Sequence, residues 1–356
     1  MTTSVAAAAF APRNIFPVLD SIPRSYYLGH HAAGLSKIRT MLSHIDLVVE
    51  CRDYRIPLTS RNPMFEDSLL GKERLVVYTK KDLGGNAHGS ESKAHDALLR
   101  KFHHPSSVLS SDHKSSKDVR SILNHIREAH NRFGGLTGSH LLIVGMPNVG
   151  KSSLLNALRR EGVGKGKVAH TGAQPGVTRK IGTSVKIISD DDGSPAGGGG
   201  GVYLLDTPGV FIPYVPNSTA MLKLALCGSV KDTIIPPTTL ADYLLFHINL
   251  HCPEVYSQYH RPTNDIWQLL EAIATKSGRL QKGGNPDTES AALWMIQRWR
   301  NGHLGKFLLD DVTEEAWLQW QAGIGEQGPM SLNQARKASK EALRERSRAK
   351  ASNPMP

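Results

Sequence analysis

The chain has 356 residues, 39% hydrophobic and 21% charged, enough for one α/β domain and a smaller companion. Lys and Arg outnumber Asp and Glu by 43 to 32, and the resulting formal charge of +11 draws the chain toward polyanions such as RNA or an anionic membrane surface. No run of about 18 apolar residues predicts a transmembrane helix, and three widely spaced cysteines, Cys51, Cys227 and Cys252, argue against a disulfide framework or a cysteine zinc site.

In chain order, the first nineteen residues carry Arg13, no acid and an alanine run at 6–9. That composition suits an organellar transit segment or a plain disordered terminus. An amphipathic helix is predicted over 35–44, then an apolar strand over 45–49 and a polar loop over 52–63. A second strand, 75–78, runs straight into Thr79, Lys80, Lys81 and Asp82. A short strand near 107–109 precedes a helix over 115–130, and a third apolar strand, 141–144, leads into a glycine-rich turn and a helix opening near Lys151. Strands separated by helices predict a parallel sheet with crossover helices. Strands at 180–188 and 202–206 are joined by the glycine-rich stretch 189–201, which holds almost nothing that packs. From about residue 236 the pattern becomes helical. The stretch 334–350 carries seven basic residues against two acids, a solvated tail or a nucleic-acid contact.

Gly145, Gly150, Lys151 and Ser152 fit the spacing G-x-x-x-x-G-K-S between a strand and a helix, the context this motif demands. Glycines let the backbone curl, so that Asn148, Val149, Gly150, Lys151, Ser152 and Ser153 surround a phosphate chain at a helix N-terminus. Lys151 is expected to bridge the β and γ oxygens and Ser152 to ligate Mg²⁺. Asp206 and Gly209, in D-x-x-G, close the strand 202–205: the carboxylate orients a Mg²⁺-bound water and the Gly209 amide senses the γ-phosphate. Thr178, between these motifs, is the candidate second protein ligand of Mg²⁺ and a candidate catalytic residue. Thr79, Lys80 and Asp82 fit N/T-K-x-D. The Asp82 carboxylate can accept from two donors on guanine that adenine lacks, while the Lys80 stem lies along the ring. The base reader thus sits about seventy residues before the phosphate loop, the reverse of the ordinary order, and a circular permutation of one fold accounts for it.

This order, with Gly29-His30, Asp53-Tyr54-Arg55-Ile56-Pro57, Ser60-Arg61-Asn62-Pro63, the segment from Leu224 to Asp232, Lys282-Gly283-Gly284 and Gly302 to Lys306, resembles the circularly permuted YlqF/RbgA family of GTPases, in particular its mitochondrial ribosome-associated branch. The resemblance implies an α/β P-loop NTPase fold with a smaller C-terminal helical domain. Its parts are a targeting segment at 1–24, a permuted GTPase domain at 25–235 with an insert at 189–201, a helical domain at 236–310 and a basic tail at 311–356. It implies GTP hydrolysis with Mg²⁺ in the service of the large subunit of the mitochondrial ribosome and its rRNA, on the matrix side, with peripheral contact to the inner membrane. It sets no oligomeric state. Val210 stands where other GTPases carry a water-orienting Gln, and the family resemblance assigns that work to His30. Asn148 matches the residue linked to K⁺ in related GTPases, and Ser110 and Ser111 match the element that meets guanine O6. A rival reading is a regulatory GTPase acting on a membrane or protein partner. A P-loop ATPase or kinase is opposed by Asp82.

Overall fold

β1 is Leu47–Asp53, with every side chain buried. A strand covered on both faces is the mark of the middle of a parallel sheet, where alternation gives way to continuous apolar runs. In this computed structural model the described residues are 10–17, 42–69, 71–85, 90–133, 138–166, 184–189, 200–206, 215 and 217–326. His30, Thr178 and Gly209 lie outside them, as do most of the insert at 189–201 and all of the basic stretch 334–350.

The remaining elements follow in order: α1 (Pro63–Ser68), β2 (Glu73–Thr79), α2 (Ser90–His103), β3 (Ser107–Ser111), α3 (Ser116–Phe133), β4 (Ser139–Gly145), α4 (Lys151–Val163), β5 (Val185–Ile188), β6 (Val202–Asp206), α5 (Ser218–Leu226), α6 (Pro237–His251), α7 (Ile266–Lys276), α8 (Thr288–Arg300) and α9 (Glu314–Glu326). Six strands form one sheet in the order β3-β2-β1-β4-β6-β5, all parallel except β5. The chain builds one edge first and then crosses β2 and β1, through α3, to lay β4 against β1. Val119, Ile122, Leu123, Ile126 and Ala129 give α3 the apolar stripe that seats it on the sheet.

The C-terminal helices gather around α6, whose Leu240, Ala241, Tyr243, Leu244, Leu245, Phe246 and Ile248 are buried nearly all round; it packs against α5, α7 and α8. Side chains at Asn62, Asn217, Asp265 and Asp287 cap α1, α5, α7 and α8 through backbone amides. The apolar core is continuous from the sheet into these helices.

Two segments differ from the sequence reading. Residues 52–63, expected as a polar loop, begin inside β1, and Arg52, Asp53, Tyr54, Arg55 and Ile56 are all buried. Charge is neutralised internally: Arg52 pairs with Glu50 (2.6 Å) and Glu66 (2.9 Å), and Arg61 with Glu66 (2.5 Å). A pattern based on hydropathy assigns such residues to solvent, whereas paired ions can be enclosed. Residues 314–326, read as the start of a basic tail, form α9. Trp317 stacks on Phe102 (4.4 Å between centroids), and the Arg61 guanidinium lies 4.2 Å from the Trp317 ring and 4.1 Å from that of Trp320.

Candidate functional site

Because the strands run parallel, their C-terminal ends share one edge, the place where α/β sheets bind ligands. Asp53, Thr79, Ser111, Gly145 and Asp206 close β1, β2, β3, β4 and β6 there.

Gly145 opens the loop at φ +147°, and a Cβ on it would lie 2.3 Å from the Cys51 carbonyl oxygen, so only glycine fits. Asn148 (φ 59°) and Gly150 (φ 93°) turn the backbone into α4. Lys151 is buried and its ammonium donates to the Gly145 (2.9 Å) and Met146 (2.7 Å) carbonyls. Burial pushes the Lys151 amine down to about 8, with Cys51 and Asp206 pulling the other way. The Ser152 hydroxyl donates to one Asp206 oxygen at 3.1 Å; the other Asp206 oxygen, Oδ1, is buried with no hydrogen-bond partner among the described residues. Burial raises the Asp206 carboxyl, partly offset by Lys151 and by the Ser152 hydrogen bond. A hydroxyl and an orphaned carboxylate oxygen side by side form a hard-oxygen pair that suits Mg²⁺.

The early motif meets this loop directly. The single Thr79 hydroxyl proton is shared between the Arg52 carbonyl (3.0 Å) and the Val149 carbonyl. The Lys80 ammonium donates to the Asn148 carbonyl at 2.5 Å and to Asp53 at 2.9 Å. Lys80 itself is left-handed (φ 58°), which delivers Asp82 into the short 3₁₀ turn Lys81–Leu83. Lys81 donates to Asp96 (2.8 Å) and Ser110 (2.9 Å), so Ser110 is fixed beside the same turn. Ser110 and Ser111 pair in register with Tyr78 and Thr79. Thr79, Lys80, Asn148, Val149, Gly150, Lys151, Ser152 and Asp206 are therefore brought together, and Asp82, Ser110 and Ser111 border them. A cavity of about 480 Å³ adjoins, lined by Ser153, Asn156, Ala157 and Arg160 of α4 with His113, Lys114, Lys165 and Gly166.

Sequence reasoning passed over three contributors. Asp53 holds both Lys80 and Arg55 (2.8 Å). Burial works against its charge, but Arg55 and Lys80 outweigh burial and hold the carboxyl well below the usual carboxylate range. Glu50, Cys51 and Arg52 separate Asp53 from the apolar run 45–49, so the end of that run did not mark it. His113 lies close enough to Asp82 and Lys80 to feel both charges, and burial is the main force lowering its pKa. Gly228 lies within the segment 224–232 noted above; its carbonyl accepts from the Asn148 amide at 2.8 Å.

A family model described as 50S ribosome-binding GTPase matches residues 140–275, a span that holds the phosphate loop and Asp206 but not the base reader at 79–82. Mitochondrial GTPase 1 of Schizosaccharomyces pombe is 36% identical over 326 residues, covering 87% of this chain and 96% of that protein. The chain belongs to the mitochondrial GTPase 1 family. Other members include Mitochondrial ribosome-associated GTPase 1 of Xenopus tropicalis, 35% identical over 80% of this chain and 94% of its own length. Mitochondrial GTPase 1 of Saccharomyces cerevisiae is 36% identical over 82% of each chain. Among solved structures, GNP-bound YlqF from T. maritima matches with a TM-score of 0.53 at 21% identity, over 78% of this chain and 97% of that one, a likeness of fold. As a member of the mitochondrial GTPase 1 family, with this permuted α/β fold, the chain binds and hydrolyses GTP.

Proposed function

We propose that this GTPase is an assembly factor for the large subunit of the mitochondrial ribosome, working in the matrix with peripheral contact to the inner membrane. The observation that carries the reading of the site is the direct contact between base reader and phosphate loop, Lys80 Nζ to the Asn148 carbonyl. The relatives' names carry the reading of the partner: "mitochondrial" in each and "ribosome-associated" in the vertebrate ones.

In this reading Asp82 accepts from guanine and the Lys80 stem covers one ring face. The amides of 148–153 enclose the phosphates, and Lys151, now hydrogen-bonded to its own loop, transfers its donors to phosphate oxygens. Ser152 and Asp206 fit a Mg²⁺ ion, as the orphaned Asp206 oxygen indicates, with Thr178 as a further ligand. Mg²⁺, when bound, neutralises charge between the β and γ phosphates. Ser110 and Ser111 place backbone at the guanine edge. Asn148, held through its amide nitrogen by the Gly228 carbonyl, is the residue that would hold K⁺. His30 orients the attacking water where Val210 cannot. GTP orders Thr178 and Gly209, favouring a surface that grips rRNA, and hydrolysis releases it, since a nucleotide shifts a conformational equilibrium only through its differential affinity for the two states.

The test is single-turnover GTP hydrolysis with and without purified mitochondrial large subunits, with small subunits as control. Slow intrinsic turnover that rises at least about tenfold, equivalent to 1.4 kcal/mol of barrier, on large subunits alone is expected. Equal rates in all three conditions would overturn the assembly reading.

A further inference from the structure

The last turn of α8 bears Trp299 and Arg300, and both reach toward the nucleotide edge by separate routes. The Arg55 guanidinium lies 4.6 Å from the Trp299 ring, and Arg55 in turn braces Asp53 and, through it, Lys80. Arg300 works on the other side. Its Nε donates to the Leu226 carbonyl (2.9 Å) and a terminal nitrogen to the Ala225 carbonyl (2.7 Å), while Asp232 grips the same guanidinium at 2.6 and 3.1 Å.

Ala225 and Leu226 end α5, and the last carbonyls of a helix have no partner within it. The Ala225 carbonyl also accepts from the Gly228 amide (2.9 Å), so the guanidinium adds to that bond, gives the Leu226 carbonyl a donor and complements the negative end of the helix dipole. Arg300 is thus a C-cap supplied from α8, and it fixes the direction in which the chain leaves α5. The next residues turn through Gly228 at φ +77°, and a Cβ on Gly228 would sit 3.3 Å from the Asn148 amide nitrogen and 3.4 Å from the Arg300 guanidinium carbon. The Gly228 peptide is therefore packed between the two side chains, and its carbonyl is the acceptor for Asn148.

We propose that Arg300 is a positioning residue for the phosphate loop: by capping α5 it sets the Gly228 carbonyl, which holds Asn148 and hence the loop in its nucleotide-binding curve. The C-terminal helices then form part of the nucleotide-binding machinery. The inference rests on the proposed cradle at 145–153, whose own test is Lys151→Ala; undiminished GTP affinity in that variant would overturn the cradle.

Given the cradle, a double-mutant cycle on nucleotide affinity tests the proposal. Arg300→Ala removes the cap, and Asn148→Gly removes the side-chain amide while leaving a positive φ allowed. Fluorescent-GDP and fluorescent-GTP dissociation constants and melting temperatures are measured for both single variants and the double. Each single change is expected to weaken binding about tenfold, with the double no weaker than the weaker single, because both break one connection. Asp232→Ala, which loosens the guanidinium from its half-exposed side, is the variant to use should Arg300→Ala not fold. About a threefold loss is expected, again absent in the Asn148→Gly background. Multiplicative losses, or a lowered melting temperature with unchanged dissociation constants, would show that Arg300 only holds the helices together and would overturn the proposal.

Discussion

Asp53 is fully buried, with Arg55 chelated at 2.9 and 2.8 Å and Lys80 at 2.9 Å. Removing its charge leaves two cations facing a buried neutral group, a loss of about 3–5 kcal/mol by comparison with other broken buried pairs. Asp53→Asn should therefore lower the unfolding free energy by about that amount in urea titration, and should also weaken GTP binding, because Lys80 loses one of its two anchors. The pH dependence follows from the sign of the shift. The folded carboxyl titrates well below its ordinary value of 3.8, so its contribution is complete above about pH 4 to 5 and is lost as the pH falls toward the folded value. Glu66, held low by Arg52 and Arg61 against the opposing effect of burial, adds to the same window. Acid unfolding should be steeper in the native chain than in Asp53→Asn; parallel curves below pH 4 would contradict this account of the site's foundation.

Among elements, α9 is held by rings and two cations: Phe102 against Trp317, Trp317 beside Trp320 at 5.6 Å, Arg61 over both rings, and an exposed Lys101–Glu314 pair at 2.6 Å. Replacing Trp317 and Trp320 together by Ala removes two cation–π contacts of roughly 0.5–2 kcal/mol each and their stacking. The melting temperature should fall by several degrees while the GTP dissociation constant stays unchanged, since neither ring reaches the nucleotide edge; a matching loss of GTP affinity would show that α9 belongs to the site. The strands around the phosphate loop were legible as apolar runs of the right length, and β4, β6 and the start of α4 fall where the sequence places them. Residues 52–61 and α9 were not. Their side chains are charged or amphipathic, and hydropathy does not show which ions pair, whether near in sequence, as Arg61 with Glu66, or far away, as Asp310 accepting from the Leu58 and Thr59 amides.

For the molecule as a whole, the order of motifs was the informative feature of the sequence. A base reader ahead of its phosphate loop demands a sheet in which β2 and β4 stand on either side of one strand, and β1 fills that place. Which residues tie the two motifs together was less legible: Lys80 was read as lying along guanine and Thr79 as the first position of the base motif, yet in the fold they also bind the Asn148 and Val149 carbonyls. Charge is also unevenly placed. Residues 236–310 hold seven basic and seven acidic side chains, so the net +11 resides in the rest of the chain. An rRNA contact by the C-terminal helices must therefore rely on local patches, such as Arg279 and Arg298 flanking Trp294 at 5.0 and 5.2 Å, rather than on a basic domain. In the proposed site a single guanine nucleotide spans Asp82 and Lys151. The decisive comparison is of GTP and xanthosine triphosphate dissociation constants for the native chain and for Asp82→Asn. A reversal of preference is expected, with GTP binding weakened at least about a hundredfold and xanthosine triphosphate gaining, because the Asn amide donates to the carbonyl that replaces the guanine amino group. An Asp82→Asn protein that still prefers GTP as strongly as the native chain would contradict it.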